Sequence, residues 1–251
     1  MGTVPLYWGE ARDLAELIGG DSRPHWAREV LERRFSLTPL DFLDEGALAG
    51  QSRLLLAQPR GLAAQENVAL DAWVRRGGRL LLFADPMMTG DSRHGIGDRR
   101  RPQDVILLSP ILRHWGLQLA FDPDQPAGLR WGEIAGRRLP VNLAGHISLA
   151  ELGAGEREAA ALCAPNEGGL WVRCRLGEGH IVVIADAALL DHAGPWPGAR
   201  EGLDALAALA FGESGEFAGA DLSAAIGTAS NGENQPVCEP GWPKEGGSDM
   251  P

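Results

Sequence analysis

The stretch that most constrains the fold runs from Ala72 to Pro86, AWVRRGGRLLLFADP: a helix end, a double glycine, a short apolar strand and an acidic residue. The same grammar returns from Gly177 to Leu190, GEGHIVVIADAALL, so that Gly, a basic residue, four apolar residues and Ala-Asp occur twice, ending at Asp85 and Asp186. A short apolar run without alternation suits a strand buried on both faces, which implies a parallel sheet covered by helices. In open sheets of that kind ligands lie beyond the carboxyl ends of the strands, where both aspartates are expected.

The remaining chain fits this plan. Val4 to Trp8 reads as a first strand, and Gly9 and Glu10 lead into a loop. Asp21, Ser22 and Pro24 open a helix whose face carries Trp26, Ala27, Val30 and Leu31. Phe35 to Leu40 and Leu54 to Ala57 read as strands. Ala63 to Arg76 reads as a helix with Leu70, Trp73 and Val74 inward, stopped by Gly77. Leu80 to Ala84 follows as the central strand. Met87 to Asp104 is a long polar loop, and loops of that length are usually functional or mobile. Ser109 and Pro110 start a short helix that Gly116 ends, before a strand from Leu117 to Phe121. From Asp122 to Arg175 the helical rhythm gives way to short strands at Leu139 to Leu143, His146 to Leu149 and Leu170 to Cys174. They form an antiparallel extension of the sheet or a small β subdomain. His180 to Ala185 is the last core strand and Glu201 to Ala210 the last helix. The expected organisation is one α/β domain over 1–211, with a β-rich insertion at about 122–175, and a disordered acidic tail over 212–251.

Charge narrows the partners. Of the formal net charge of -11, more than half lies beyond Gly212, where seven acids (Glu213, Glu216, Asp221, Glu233, Glu239, Glu245, Asp249) face the single base Lys244. The mildly acidic body lacks the positive footprint that phosphate binding needs, so nucleic acid is not an expected partner. No run approaches the ~18 apolar residues of a membrane span. The start does not resemble a signal peptide, so the expectation is a cytoplasmic protein or a soluble portion without its leader or anchor. Cys163, Cys174 and Cys238 are odd in number and irregular in spacing. They are expected as buried or incidental thiols, neither a disulfide framework nor a zinc site.

A strand ending in Gln58-Pro59, a helix ending in Trp73-Val74 before Gly77-Gly78, a strand ending in Asp85-Pro86 and a late Gly-x-Gly strand ending in Ala185-Asp186 together carry a resemblance. The chain resembles the glutamine-amidotransferase-like domain of accessory proteins in gliding-motility-type ABC transport systems and related uncharacterised bacterial proteins. The similarity covers about residues 4 to 211, most specifically 54 to 86 and 177 to 190. It implies a flavodoxin-like, class I glutamine-amidotransferase-like α/β fold with a mostly parallel sheet. It also implies a non-catalytic role in binding or assembly at the cell envelope, with ABC permease or ATPase subunits as partners.

The residues are consistent with a missing catalytic centre. Class I amidotransferase chemistry needs a cysteine on a sharp strand-to-helix turn, but the turns here end in Gln58, Asp85 and Asp186, and no G-x-S-x-G occurs. Asp85 and Asp186, with His94 or His192, have the residue types of a metal or acid/base pair. Aspartates before Pro or a helix start are also routine cap and turn residues. Arg93 and Arg99, within the cluster running to Arg101, suit a small anionic ligand, although Asp91, Asp98 and Asp104 in the same loop neutralise it. GEG at 177 to 179 precedes a strand rather than a helix and reads as a tight turn, not a nucleotide fingerprint. Trp8 and Glu10 would share the rim with Gln58. The expectation is a non-enzymatic module binding a partner or small ligand at a rim of Trp8, Glu10, Gln58, Asp85, Arg93, His94, Arg99, Asp186 and His192, with no cofactor and no metal. The alternatives are a hydrolase using Asp85 and Asp186, with or without a metal, and a purely structural subunit that docks through the loop Met87 to Asp104.

Overall fold

The computed structural model describes residues 3–7, 24–90, 92, 94–95, 98, 101–191 and 195–212. The chain divides into two units, Met1–Asp221 and Leu222–Pro251, and all described residues belong to the first. The disordered tail expected over 212–251 falls outside them except for Gly212.

In chain order the elements are α1 (Trp26–Glu32), α2 (Glu45–Leu48), β1 (Arg53–Ala57), α3 (Ala64–Arg75), β2 (Arg79–Phe83), α4 (Ser109–His114) and β3 (Leu117–Ala120). Then come β4 (Arg130–Ile134), β5 (Arg137–Val141), β6 (His146–Leu149), α5 (Ala154–Ala159), β7 (Leu162–Pro165), β8 (Trp171–Leu176), β9 (Gly179–Ile184), α6 (Ala188–Asp191) and α7 (Ala199–Phe211). Five strands form the main sheet in the order β1-β2-β9-β8-β7, while β3–β6 and β4–β5 form separate two-stranded sheets.

The two echoing segments are neighbours. β2 and β9 pair in parallel with Leu80 opposite Ile181 and Phe83 opposite Ile184, and β1 joins in parallel with Leu54 opposite Leu80. Their apolar runs feed two cores. Leu80, Leu82, Ile181 and Val183 belong to a cluster with Leu70, Trp73 and Val74 of α3. Leu81, Phe83, Val182 and Ile184 belong to the other, with Val30 of α1 and Leu203, Leu206 and Ala210 of α7. A strand that buries both faces has no polar alternation to display.

The expectation of a flavodoxin-like, class I glutamine-amidotransferase-like, mostly parallel sheet is overturned by the strand pairing. Among the described residues only β1–β2 and β2–β9 are parallel; β8–β9, β7–β8, β3–β6 and β4–β5 are antiparallel, giving a mixed α/β fold rich in antiparallel strands. The cause is local. β8 returns into β9 through Gly177 and Glu178, and a link that short joins only antiparallel neighbours, because a parallel pair needs a crossover of about a dozen residues. The 122–175 region serves both roles left open for it: β7 and β8 extend the main sheet, and the β4–β5 hairpin stands apart. That hairpin turns on Ala135 (φ 51°) and Gly136 (φ 74°), the paired positive φ values of a type I′ turn.

Two expected strands are not formed by the described residues. Thr3 and Val4 donate backbone hydrogen bonds to Gln58 O (2.9 Å) and Ala57 O (3.4 Å), yet residues 3–7 form bends and turns. Phe35 to Leu40 is irregular. The expected thiols are also corrected: Cys163 and Cys174 form a disulfide. They face each other across β7 and β8 with Cα atoms 4.0 Å apart. The spacing rule missed the pair because β7 was not recognised as a strand, so the register that aligns the two cysteines was invisible.

The double glycine has two distinct tasks. Gly77 (φ 102°) donates to Val74 O at 2.9 Å and Gly78 to Trp73 O at 3.1 Å, the paired bonds of a Schellman stop. A Cβ on Gly78 would lie 2.5 Å from the Trp73 ring, and one on Gly179 would collide with the Val74 carbonyl oxygen. Glycine at these positions lets the end of α3 press directly on the starts of β2 and β9. Among the described residues no helix is long and apolar enough to cross a membrane.

Candidate functional site

The parallel strands β1, β2 and β9 run side by side and in register, so their last residues meet along one edge. Gln58, Asp85 and Asp186 lie there, 0%, 1% and 2% exposed. Burial of polar groups requires hydrogen bonds, and each of the three finds them on backbone. Gln58, held at φ 49°, uses its side-chain amide as a strand would: Oε1 accepts from Asp85 N–H (2.8 Å) and Nε2 donates to Asp85 O (2.9 Å) and Gln103 O (2.8 Å).

The two aspartates then repeat one device. Oδ1 of Asp85 accepts from the N–H of Met87 two residues on (2.8 Å), while Oδ2 accepts from Ala187 N–H at the end of β9 (2.9 Å). Oδ1 of Asp186 accepts from Ala188 N–H (2.7 Å), while Oδ2 accepts from Asn142 N–H just beyond β5 (2.8 Å). Each carboxylate thus closes its own turn with one oxygen and holds a neighbouring segment with the other. Asn142 continues the line, donating to Thr89 Oγ1 and accepting from Gly128 N–H, both at 2.9 Å. Burial pushes the Asp85 carboxyl up to about 6, against the two backbone hydrogen bonds, which favour its charged form.

Of the other residues expected at the rim, Trp8, Glu10, Arg93, Arg99 and His192 lie outside the described residues. His94 is in the loop after β2, its Nδ1 3.8 Å from Asp98 and its carbonyl accepting from Arg101 Nη1 at 3.0 Å. Arg101 also donates to Asp104 (Nη2 to Oδ1, 3.0 Å). Among the described residues the loop's charges therefore face one another. Also among them, no group of three His, Cys, Asp or Glu is placed to hold a metal ion.

Two features escaped sequence reasoning. Glu66, fully buried at the start of α3, receives Arg60 Nη1 at 2.7 Å and Nη2 at 2.8 Å, plus the N–H groups of Ala63 and Leu43. Burial raises its pKa, but these hydrogen bonds and the guanidinium charge outweigh burial and leave it lowered. Its position three residues into the helix was the available signal. The second feature is an open cleft of about 770 Å³, lined among others by Glu133, Val141, Asn166, Glu167, Leu170 and Trp171. It lies between the β4–β5 hairpin, the segment after β5 and the β7–β8 turn. It adjoins the latched edge through Gly145, which donates to Ala185 O at 2.7 Å. No single motif encodes it, because its walls come from segments that meet only in the fold.

No curated protein matches the sequence. Among solved structures, the chain is similar to the exo-β-1,4-mannosidase Op5Man5 from Opitutaceae bacterium strain TAV5, with 18% identity and a TM-score of 0.44 over 74% of this chain and 30% of that one. It is also similar to a catalytic mutant of Gan42B, a GH42 β-galactosidase from G. stearothermophilus, with 13% identity and a TM-score of 0.37 over 62% of this chain and 21% of that one. The chain thus spans less than a third of either enzyme, and likeness at these TM-scores carries no argument about activity. The family model described as "Domain of unknown function (DUF4350)" matches residues 25–191, from α1 through both aspartate-ending strands to the end of α6, and the chain belongs to that family.

Proposed function

We propose that this protein is a non-catalytic binding module, an accessory component of an ABC-type transport system, that recognises a partner or small ligand in the cleft beside the carboxyl edge of its sheet. The observation that carries this reading is the use made of the edge carboxylates. Both oxygens of Asp85 and of Asp186 accept backbone N–H groups, and both side chains are buried. Groups so engaged hold loops in place. A hydrolase built on them gains support from the Asp85 pKa of about 6, but a substrate would first have to displace the bonds that shape the edge. The cleft next to it is open, and lined by apolar residues with a few polar groups, as binding sites usually are. The transport setting rests on the sequence resemblance over 54 to 86 and 177 to 190.

The test is affinity capture with the full chain, comparing Gly168→Trp with Val68→Trp. Gly168 is an exposed cleft residue with room for a side chain, since its nearest neighbour would be Asn166 Nδ2 at 3.6 Å; Val68, 69% exposed, lies on α3. Gly168→Trp is expected to lose the partner with an unchanged melting temperature, and Val68→Trp to keep it. Retention by both variants, or no partner captured by the wild type, contradicts the reading.

A further inference from the structure

We infer that the cleft selects a cationic group, an ammonium or guanidinium carried on an apolar stem. This rests on the cleft being the binding site. Among the described residues the charged ones lining it are Glu133 and Glu167, and both are acidic. They come from different elements, β4 and the β7–β8 turn, and both line the same cleft. Among the described residues neither carboxylate has a hydrogen bond or ion pair, even though Arg138 stands opposite Glu133 in the hairpin register. The nearby Arg130 is directed to Gln125 Oε1 at 2.7 Å. An anion entering the cleft would meet two carboxylates that no described cation pairs, whereas a cation would pair with them.

The rest of the lining suits the stem of such a ligand. Val141 and Leu170 supply apolar surface, and Trp171 adds an indole, the best aromatic partner for a cation. Trp171 is positioned by its backbone N–H, which donates to Asn166 Oδ1 at 2.9 Å. Two carboxylates and an indole lining one cleft are a recognition set suited to ammonium and guanidinium groups. The group can arrive as a free amine or as an arginine or lysine side chain of a polypeptide.

The experiment titrates the full chain with agmatine and with the capped peptide acetyl-Leu-Arg-Leu-amide, following the Trp171 indole by NMR. The citrulline peptide, which keeps the shape and loses the charge, and the glutamate peptide are run beside them. Guanidinium binding is expected to exceed citrulline binding about tenfold or more, as charged hydrogen bonds imply. The double variant Glu133→Gln, Glu167→Gln should remove that difference and leave the melting temperature unchanged, because both side chains are exposed. Binding of agmatine as tight as that of the peptide identifies a free cation as the natural form, and binding of the peptide alone identifies a polypeptide side chain. Equal affinity for the citrulline peptide, or tighter binding of the glutamate peptide, overturns the charge preference and leaves the cleft as a binding site. If no probe perturbs Trp171, both readings fall.

Discussion

At the end of β2 one carboxylate serves two loops, and this is where residue chemistry decides the architecture. Asp85 holds Met87 and Ala187 at once, yet it is 1% exposed, so ionisation works against burial and its pKa rises to about 6. A carboxyl whose folded pKa exceeds its ordinary value of 3.8 binds more protons folded than unfolded between those values. Its stabilising contribution is therefore full below about pH 4 and is lost as pH rises through about 6. The wild type should lose ~2 kcal/mol relative to Asp85→Asn between pH 4 and pH 7, measured by urea denaturation at each pH. A difference that stays flat over that range contradicts the assignment. The positions of Asp85 and Asp186 were legible from the repeated Gly-to-Asp grammar. The turn-closing half of their role was legible too, as cap and turn chemistry; the second bond of each was not, because the backbone groups it holds lie 102 and 44 residues away in the chain.

Among the elements, the β7–β8 pair shows how a missed strand hides chemistry. Cys163 and Cys174 share a rung of the ladder, and their disulfide closes a loop over a sequence separation of 11. Constraining a loop of that length is worth about 3 kcal/mol through the unfolded chain. The double variant Cys163→Ser, Cys174→Ser should melt lower by that equivalent. Thiol titration of the denatured, unreduced protein should find one reactive group, Cys238, of the three; three reactive thiols would contradict the bond. Helices α1, α3, α4 and α7 and the three parallel strands were legible because each buries a stripe or run, whereas α2 and α5, which bury one residue and none, gave no pattern to read. β7 was not, for it is a four-residue edge strand ending in Pro165, with Leu162 exposed and Cys163 buried, too short for a pattern. Gly177-Glu178-Gly179 was recognisable as a tight turn. That turn already implied antiparallel β8 and β9, and only the weight given to the two apolar runs favoured a mostly parallel sheet.

For the whole molecule, the sheet edge and the cleft divide the work: the first fixes the loops, and the second is left open by them. Gln58, Asp85, Asp186 and Asn142 link β1, β2, β9 and the end of β5 in one hydrogen-bonded line, and the segment after β5 goes on to form a wall of the cleft. Sequence reasoning located the edge through its strand ends and could not locate the cleft, whose lining is gathered from residues 125 to 171 by two hairpins. Amide hydrogen exchange at Met87, Asn142, Ala187 and Ala188 at pH 7 tests this division most directly. All four amides should be strongly protected in the wild type; Asp85→Ala should release Met87 and Ala187, and Asp186→Ala should release Asn142 and Ala188. Rapid exchange of these amides in the wild type would show carboxylates free to meet a ligand, and would contradict the account.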